Sequence, residues 1–374
     1  MVSAVVTREN VLGYRAWAQG LDRRPGGIDR VLRLGLQDTP HGSARGALVA
    51  RGIPVGDASA AEAATGPLVT VWSWRGAPHL HHRADPPFLA EALWPVSDAD
   101  AQRRIATTVI KDGARRGIEA FAEAAAAIRA VVTTRLLKGE VSTQVSARIP
   151  ADLTFDCPTC QARHISGSLF QQVGLAAGVQ VETEGRSSFL SPLPKDARPK
   201  AVPTQAKRTP EALLRYLEVL GPASAGHLAG FLGTSQTTVK NLVPEGLVEV
   251  TYPDGPGRGW LPEAALERLR AAALPRLTRL LAPGDPWLQA RDRDLVLPDK
   301  DRHKAVWGAI GNPGVVLVDG EVVGTWRAKT QRKRLVVTVQ PLEPVSGRTR
   351  AEIDEEAGLV AASRGLDAFE VDLG

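Results

Sequence analysis

The chain has 374 residues, 43% of them hydrophobic. That excludes a disordered polymer and is too long for one ordinary core, so two to four domains are expected. Lys plus Arg total 46 against 41 acids, a formal net charge of +5 that accommodates a polyanionic partner without demanding one. Two cysteines exclude a disulfide-rich secreted scaffold, and no apolar run is long enough for a membrane span, so a soluble cytoplasmic protein is expected.

Thr7-Arg8-Glu9-Asn10 leads into Val11, Leu12, Tyr14, Arg15 and Trp17, the pattern of a short helix with an N-cap. Residues 28–34 and Ser43 to Ala50 give two further helical segments. Leu68 to Trp74 and Pro78 to His82 then flank Arg75-Gly76-Ala77 as a hairpin. Three short helices followed by a hairpin is the order of a winged helix-turn-helix, assigned here to residues 1–96.

The order recurs over 97–192. The Ala-rich stretch Ile118 to Leu137 predicts a long helix, and Ser142 to Ala147 a short one. Ser166 to Gly178 predicts a third helix with a C-cap glycine, and strands at 179–182 and 187–190 close the unit. Residues 193–208, rich in Pro, Ala and Lys, read as a linker. Thr209-Pro210-Glu211 is a helix start with cap, N1 proline and early acid in order. Ser224 to Phe231 and Ser235 to Leu242 follow as a helix-turn-helix, then Leu247 to Val250, a wing turn at Pro253 to Gly259, and Trp260, completing a third unit at 209–262.

Residues 263–374 change character. After a helical stretch, Val315 to Val318, Val322 to Trp326 and Leu335 to Val339 are β-like, with Asp319-Gly320 as a favoured two-residue hairpin turn. The fold class expected is α+β: tandem winged helix-turn-helix domains with a C-terminal antiparallel β-barrel-like domain.

Five blocks in this order resemble one known family. They are Leu34-Gly-Leu-Gln-Asp38; Arg75-Gly-Ala-Pro-His79 with Arg83-Ala-Asp85; Leu220-Gly-Pro222 within 208–234; Asp285-Pro-Trp287 with Arg291-Asp-Arg293; and Val316 to Gly320 followed by Val323 to Arg327. The chain resembles the bacterial winged helix DNA-binding domain family that includes the AlkZ-like DNA glycosylases. The resemblance implies three winged helices and a C-terminal barrel around a DNA channel. It also implies metal-independent hydrolysis of the N-glycosidic bond of N7-alkylated purines, including purines in interstrand crosslinks. The family's catalytic motif, Gln, an apolar residue, then Gln or Asp, falls on Gln37-Asp38-Thr39; the first Gln is kept, the middle residue is acidic, and the last is Thr.

The chemistry asks for a water on the sugar face opposite the base and for stabilisation of positive charge developing on the sugar, because N7 alkylation already makes the base a cationic leaving group. Gln37 would position the water, and Asp38 would supply the charge or act as base. The competing reading makes Asp38 or Thr39 a cap for the following segment, with Pro40 and Gly42 shaping a turn.

DNA contact is expected from His79, His81 and Arg83 near the first hairpin, and from Ser235, Gln236 and Lys240 on a candidate recognition helix. Arg291 and Arg293 join them, with the acid-free stretch carrying Arg327, Lys329, Arg332, Lys333 and Arg334. Scaffold roles compete at each of these positions, and Trp72 and Trp74 are read as packing ahead of base stacking. Cys157-x-x-Cys160-x-x-x-His164 offers three zinc ligands where a closed structural site takes four, so no metal and no cofactor are expected, with zinc as the alternative beside a reduced buried pair or a redox dithiol. The expected partner is damaged double-stranded DNA, bound by a monomer associated with the nucleoid and not with membrane. The alternative function is a non-catalytic winged-helix DNA-binding or regulatory protein.

Overall fold

A computed structural model describes residues 4–54, 66–252, 257–308 and 310–374. The chain divides into two compact units: Met1–Ser59 with Arg215–His227 and Glu245–Gly374, and Ala60–Leu214 with Leu228–Pro244. Among the described residues, no helix is long and apolar enough to cross a membrane.

In the first unit, helix Arg8–Ala18 opens with a reciprocal cap: Asn10 N donates to Thr7 Oγ1 and Thr7 N to Asn10 Oδ1, satisfying two otherwise orphaned backbone donors. Its buried face carries Val11, Leu12, Tyr14 and Ala16 into a core shared with Trp287, Val315 and Leu317. The C-terminal sheet runs in the order Thr278–Leu281, Gly314–Val318, Glu321–Gln331, Arg334–Pro341, Ala368–Leu373. Asp319 and Gly320 both take positive φ in the tight turn between its second and third strands, as expected of that dipeptide.

This sheet corrects the barrel expectation. It is open, its two edge strands unpaired with each other, and its last pair is parallel because helix Gly347–Ala362 carries the chain back across it. Both faces of its second strand, Gly314–Val318, are covered. Val316, Trp326, Leu335, Val337 and Val339 pack against Ile353, Ala357 and Val360 of that helix, while Val315 and Leu317 face the other core. A continuous apolar run such as Val315 to Val318 is what burial on two faces requires, so closure was not needed to bury it.

In the second unit, helix Ile118–Val131 packs on helix Gly167–Ala177 through Phe121, Ala124, Ala125 and Ile128 against Leu169, Phe170 and Val173. Hairpins Leu68–Trp72/Pro78–His82 and Val179–Glu184/Ser187–Pro192 form as expected. A further hairpin, Thr154–Cys157 with Ala162–Ile165, was not anticipated. Residues 193–208 are packed rather than free: Leu193 and Ala197 are buried, Val202 and Ala206 lie on the core, and Arg129 donates to the carbonyls of Pro199 and Lys200.

The third helix-helix-helix-hairpin order is present as Thr209–Leu220, Ala225–Leu232, Gln236–Lys240, Leu247–Thr251 and Arg258–Pro262. Residues 253–256 of its expected wing turn lie outside the described residues. The boundary between the two units passes through the first two of these helices.

Candidate active site

Gln37 ends the short strand Leu36–Gln37, and Asp38 to Gly42 form the turn into helix Ser43–Ala50. The Asp38 carboxylate closes that turn. Its Oδ1 accepts from the backbone N–H of Gly42 at 2.8 Å and of Ala44 at 3.1 Å, and its Oδ2 lies 2.9 Å from His41 Nδ1. The capping role weighed in the sequence is therefore what Asp38 does. A carboxylate has about four lone-pair sites, so three partners leave one acceptor position for a ligand. The bond to Asp38, opposed by partial burial, raises the His41 pKa above its ordinary value. Thr39 is exposed.

Gln37 is fixed by residues that no local sequence signal singles out. Gln289 Nε2 donates to Gln37 Oε1 at 2.9 Å and to the Gly284 carbonyl at 3.3 Å. The Gly284 carbonyl can only accept, so the Gln289 nitrogen faces it; Gln37 must then meet Gln289 with its oxygen, leaving its NH2 group for a ligand. Gly284 adopts φ +75°, and a Cβ there would stand 3.2 Å from the Thr39 carbonyl and 3.3 Å from Gln37 Nε2. The turn from Ala282 to Gln289 thus lies directly against the candidate triplet.

That turn is locked by Asp285. Its carboxylate accepts from Arg51 Nη1 at 2.8 Å and Nη2 at 3.1 Å, and from the Trp287 N–H at 3.0 Å at the start of helix Pro286–Gln289. Arg51, the C-cap of helix Ser43–Ala50, also donates to the carbonyls of Gln19 and Ala47. Both side chains are fully buried. A buried ion pair with this many satisfied partners is costly to break and holds one geometry. The same helix is capped at its start by Asp38 and tied at its end to the turn that holds Gln37.

The second charged motif is also organised around its acid. Asp292 Oδ2 accepts from Arg15 Nη2 at 2.8 Å, and Arg15 Nε donates to the Leu220 carbonyl. Arg291 is half-buried, and burial lowers its pKa. Arg293 is exposed, its guanidinium 5.0 Å from the Trp307 ring centre.

The other candidate DNA contacts fall into two groups. His79 and His81 share one face of their hairpin, as strand alternation requires, but that face is interior: they are 3% and 0% exposed, with His81 Nε2 3.0 Å from Ser73 Oγ and His79 Nδ1 2.9 Å from the Ala77 carbonyl. Their cross-strand partners, Val71 and Val69, were the available signal that this face is apolar. Trp72 and Trp74 are likewise buried, packed on Phe170 and Phe231. Arg83 forms a bidentate pair with Asp196, donating from Nε to Oδ2 at 2.9 Å and from Nη2 to Oδ1 at 2.7 Å.

Surface positions fare differently. Ser235 caps its helix by accepting from Thr238 N, while Gln236 and Lys240 are exposed. Arg327, Lys329, Arg332, Lys333 and Arg334 are all exposed on the hairpin Glu321–Gln331/Arg334–Pro341, with Arg332 and Lys333 forming its tip. Arg327 and Lys329 pair across the strands with Thr338 and Val336, on the face opposite the Trp326, Val337 and Leu335 core. Arg334 is partly neutralised by Glu370 at 3.2 Å.

Cys157 and Cys160 are free thiols, and they and His164 bring one ligand atom each to within 4.8 Å of one another. Backbone N–H groups of Cys160 and Thr159 directed at the Cys157 sulfur lower its pKa.

No curated protein matches the chain by sequence. The DNA glycosylase AlkZ of Streptomyces sahachiroi is similar in structure, with a TM-score of 0.74 and 20% identity over 100% of both chains. The family model described as DNA glycosylase AlkZ-like matches residues 31–363, a span that includes the Gln37 turn, the Arg51–Asp285 pair and the basic hairpin. The chain belongs to the AlkZ-like DNA glycosylase family.

Proposed function

We propose that the chain hydrolyses the N-glycosidic bond of N7-alkylated purines in double-stranded DNA, including purines joined in interstrand crosslinks, as a monomeric, monofunctional glycosylase. In this reading residues 1–96, 97–192 and 209–262 are winged helix-turn-helix modules that carry the duplex. The observation that carries the proposal is the anchored amide of Gln37 beside the capped carboxylate of Asp38. The Gln37 NH2 group orients a water or a sugar oxygen, and the remaining acceptor position on Asp38 takes a proton from that water. The same carboxylate places negative charge where the sugar becomes cationic. Thr39 contributes its backbone to the turn. Because an N7-alkylated base is already a good leaving group, charge stabilisation and water placement suffice without a general acid.

A non-catalytic DNA-binding protein is the second reading, favoured by the three hydrogen bonds that commit Asp38 to its turn. Incubation with duplex DNA containing N7-methylguanine separates the two. Catalysis yields free base and abasic sites, and Gln37→Ala combined with Asp38→Asn abolishes both while DNA affinity is kept. Retention of DNA by the unaltered protein with no base released would leave only the binding role.

A further inference from the structure

The Cys157, Cys160 and His164 cluster sits on the hairpin Thr154–Cys157/Ala162–Ile165 in the second unit. Cross-strand partners are Cys157 with Ala162 and Phe155 with His164, so Cys157 and His164 lie on one face as diagonal neighbours. Cys160 comes from the connecting turn, whose last residue, Gln161, has φ 51°. The pairwise limit of 4.8 Å on the three ligand atoms is close to the ~3.8 Å separating two sulfurs on a tetrahedral zinc with bonds of about 2.3 Å. Side-chain adjustment of about 1.3 Å or less per pair closes that gap, the sulfur–nitrogen pairs having the shorter ideal separation.

One feature around the cluster suits a metal. His164 has its Nδ1 3.1 Å from the hydroxyl of Ser142, which is itself nearly buried, while its Nε2 is buried with no hydrogen-bond partner. A ring nitrogen held by an outer partner, with the opposite nitrogen buried and unsatisfied, is the arrangement of a metal-ligating histidine. Two thiolates and an imidazole select a borderline-soft ion.

We propose that Cys157 Sγ, Cys160 Sγ and His164 Nε2 bind one zinc ion, with a solvent water in the fourth position. Binding releases the two thiol protons to solvent. The ion clamps the tip of a hairpin only four residues long on each strand, which would be marginal by itself. This site takes up the zinc alternative that the sequence left open beside the metal-free expectation. The site has no part in the glycosidic bond chemistry assigned to Gln37 and Asp38, and its fourth position stays open to solvent.

Metal analysis of the full chain, expressed with zinc and desalted, is expected to give one zinc per chain, lost in the Cys157→Ser plus Cys160→Ser variant. Cobalt added to the demetallated protein should produce a thiolate-to-cobalt charge-transfer band, absent in that variant and altered in His164→Ala. If the variants do not fold, the unaltered protein still decides the matter, since zinc should protect both thiols from alkylation and a chelator should remove the protection. Zinc at equal stoichiometry in the double serine variant, or no zinc, no cobalt band and no protection in the unaltered chain, overturns the site.

Discussion

Arg51 and Asp285 meet through two hydrogen bonds of 2.8 and 3.1 Å with both side chains fully buried, and they join the helix after the Gln37 turn to the segment that holds the Gln37 amide. Removing one partner leaves the other as an uncompensated buried charge. Asp285→Asn or Arg51→Met is expected to lower stability by about 3–5 kcal/mol. Chemical denaturation followed by circular dichroism measures this, and a loss below about 1 kcal/mol would show that the pair is not holding the segment.

Gln289 is a positioning residue for Gln37 and has no other assigned part in the reaction. Gln289→Leu keeps the volume approximately and frees the Gln37 amide to rotate. Base release from N7-methylguanine DNA should fall about tenfold or more in single-turnover rate, with DNA affinity nearly unchanged, because misplacing a positioned group costs the chemical step first. Equal loss of affinity and rate would assign Gln289 to DNA binding instead.

The His41–Asp38 contact gives a pH signature. The folded-state pKa of His41 is raised, so the stabilisation it contributes is fully present below the ordinary value of 6.5 and disappears as pH rises through the elevated folded value. His41 is largely exposed, so the effect on stability is small. NMR titration of the His41 ring should show a pKa that drops in Asp38→Asn; an identical titration in both proteins would mean that the contact is absent in solution.

How much of this was legible in the sequence depended on range. The Asp319-Gly320 turn and the Thr209-Pro210-Glu211 helix start were readable because local backbone chemistry determines them. Whether the C-terminal strands close into a barrel was not, because apolar runs such as Val315 to Val318 report burial without saying what covers each face. The Gln37 turn was visible through its motif. Its supports were not: Gln289 is 252 residues away from Gln37, and Asp285 is 234 from Arg51. Alternation correctly put His79 and His81 on one face but did not identify it as the inner one. The four-residue strands around Cys157 were too short and polar for a periodicity signal.

The basic hairpin should set the salt dependence of DNA binding. Arg332 and Lys333 are exposed at its tip, away from the Arg334–Glu370 pair. Arg332→Glu with Lys333→Glu is expected to weaken binding of any duplex and to reduce the slope of log affinity against log salt by about 2, roughly one for each phosphate that is no longer neutralised. An unchanged slope would remove this hairpin from the DNA surface.

Gly284 tests the site geometry most directly. Its φ of +75° disfavours a side chain, and a Cβ would press on the Thr39 carbonyl at 3.2 Å and on Gln37 Nε2 at 3.3 Å. Gly284→Ala therefore combines a backbone cost of about 1–2 kcal/mol with displacement of the candidate catalytic amide. Gly246→Ala is the matched control, since Gly246 also has φ +75° but its added Cβ would meet nothing within 4 Å. Both variants should lose stability in thermal unfolding, Gly284→Ala at least as much as Gly246→Ala. Only Gly284→Ala should also lose base release beyond what its unfolded fraction explains, by about tenfold or more, because only there does the added methyl reach Gln37. Equal activity in the two variants would mean that the placement of the Gln37 amide does not limit the reaction.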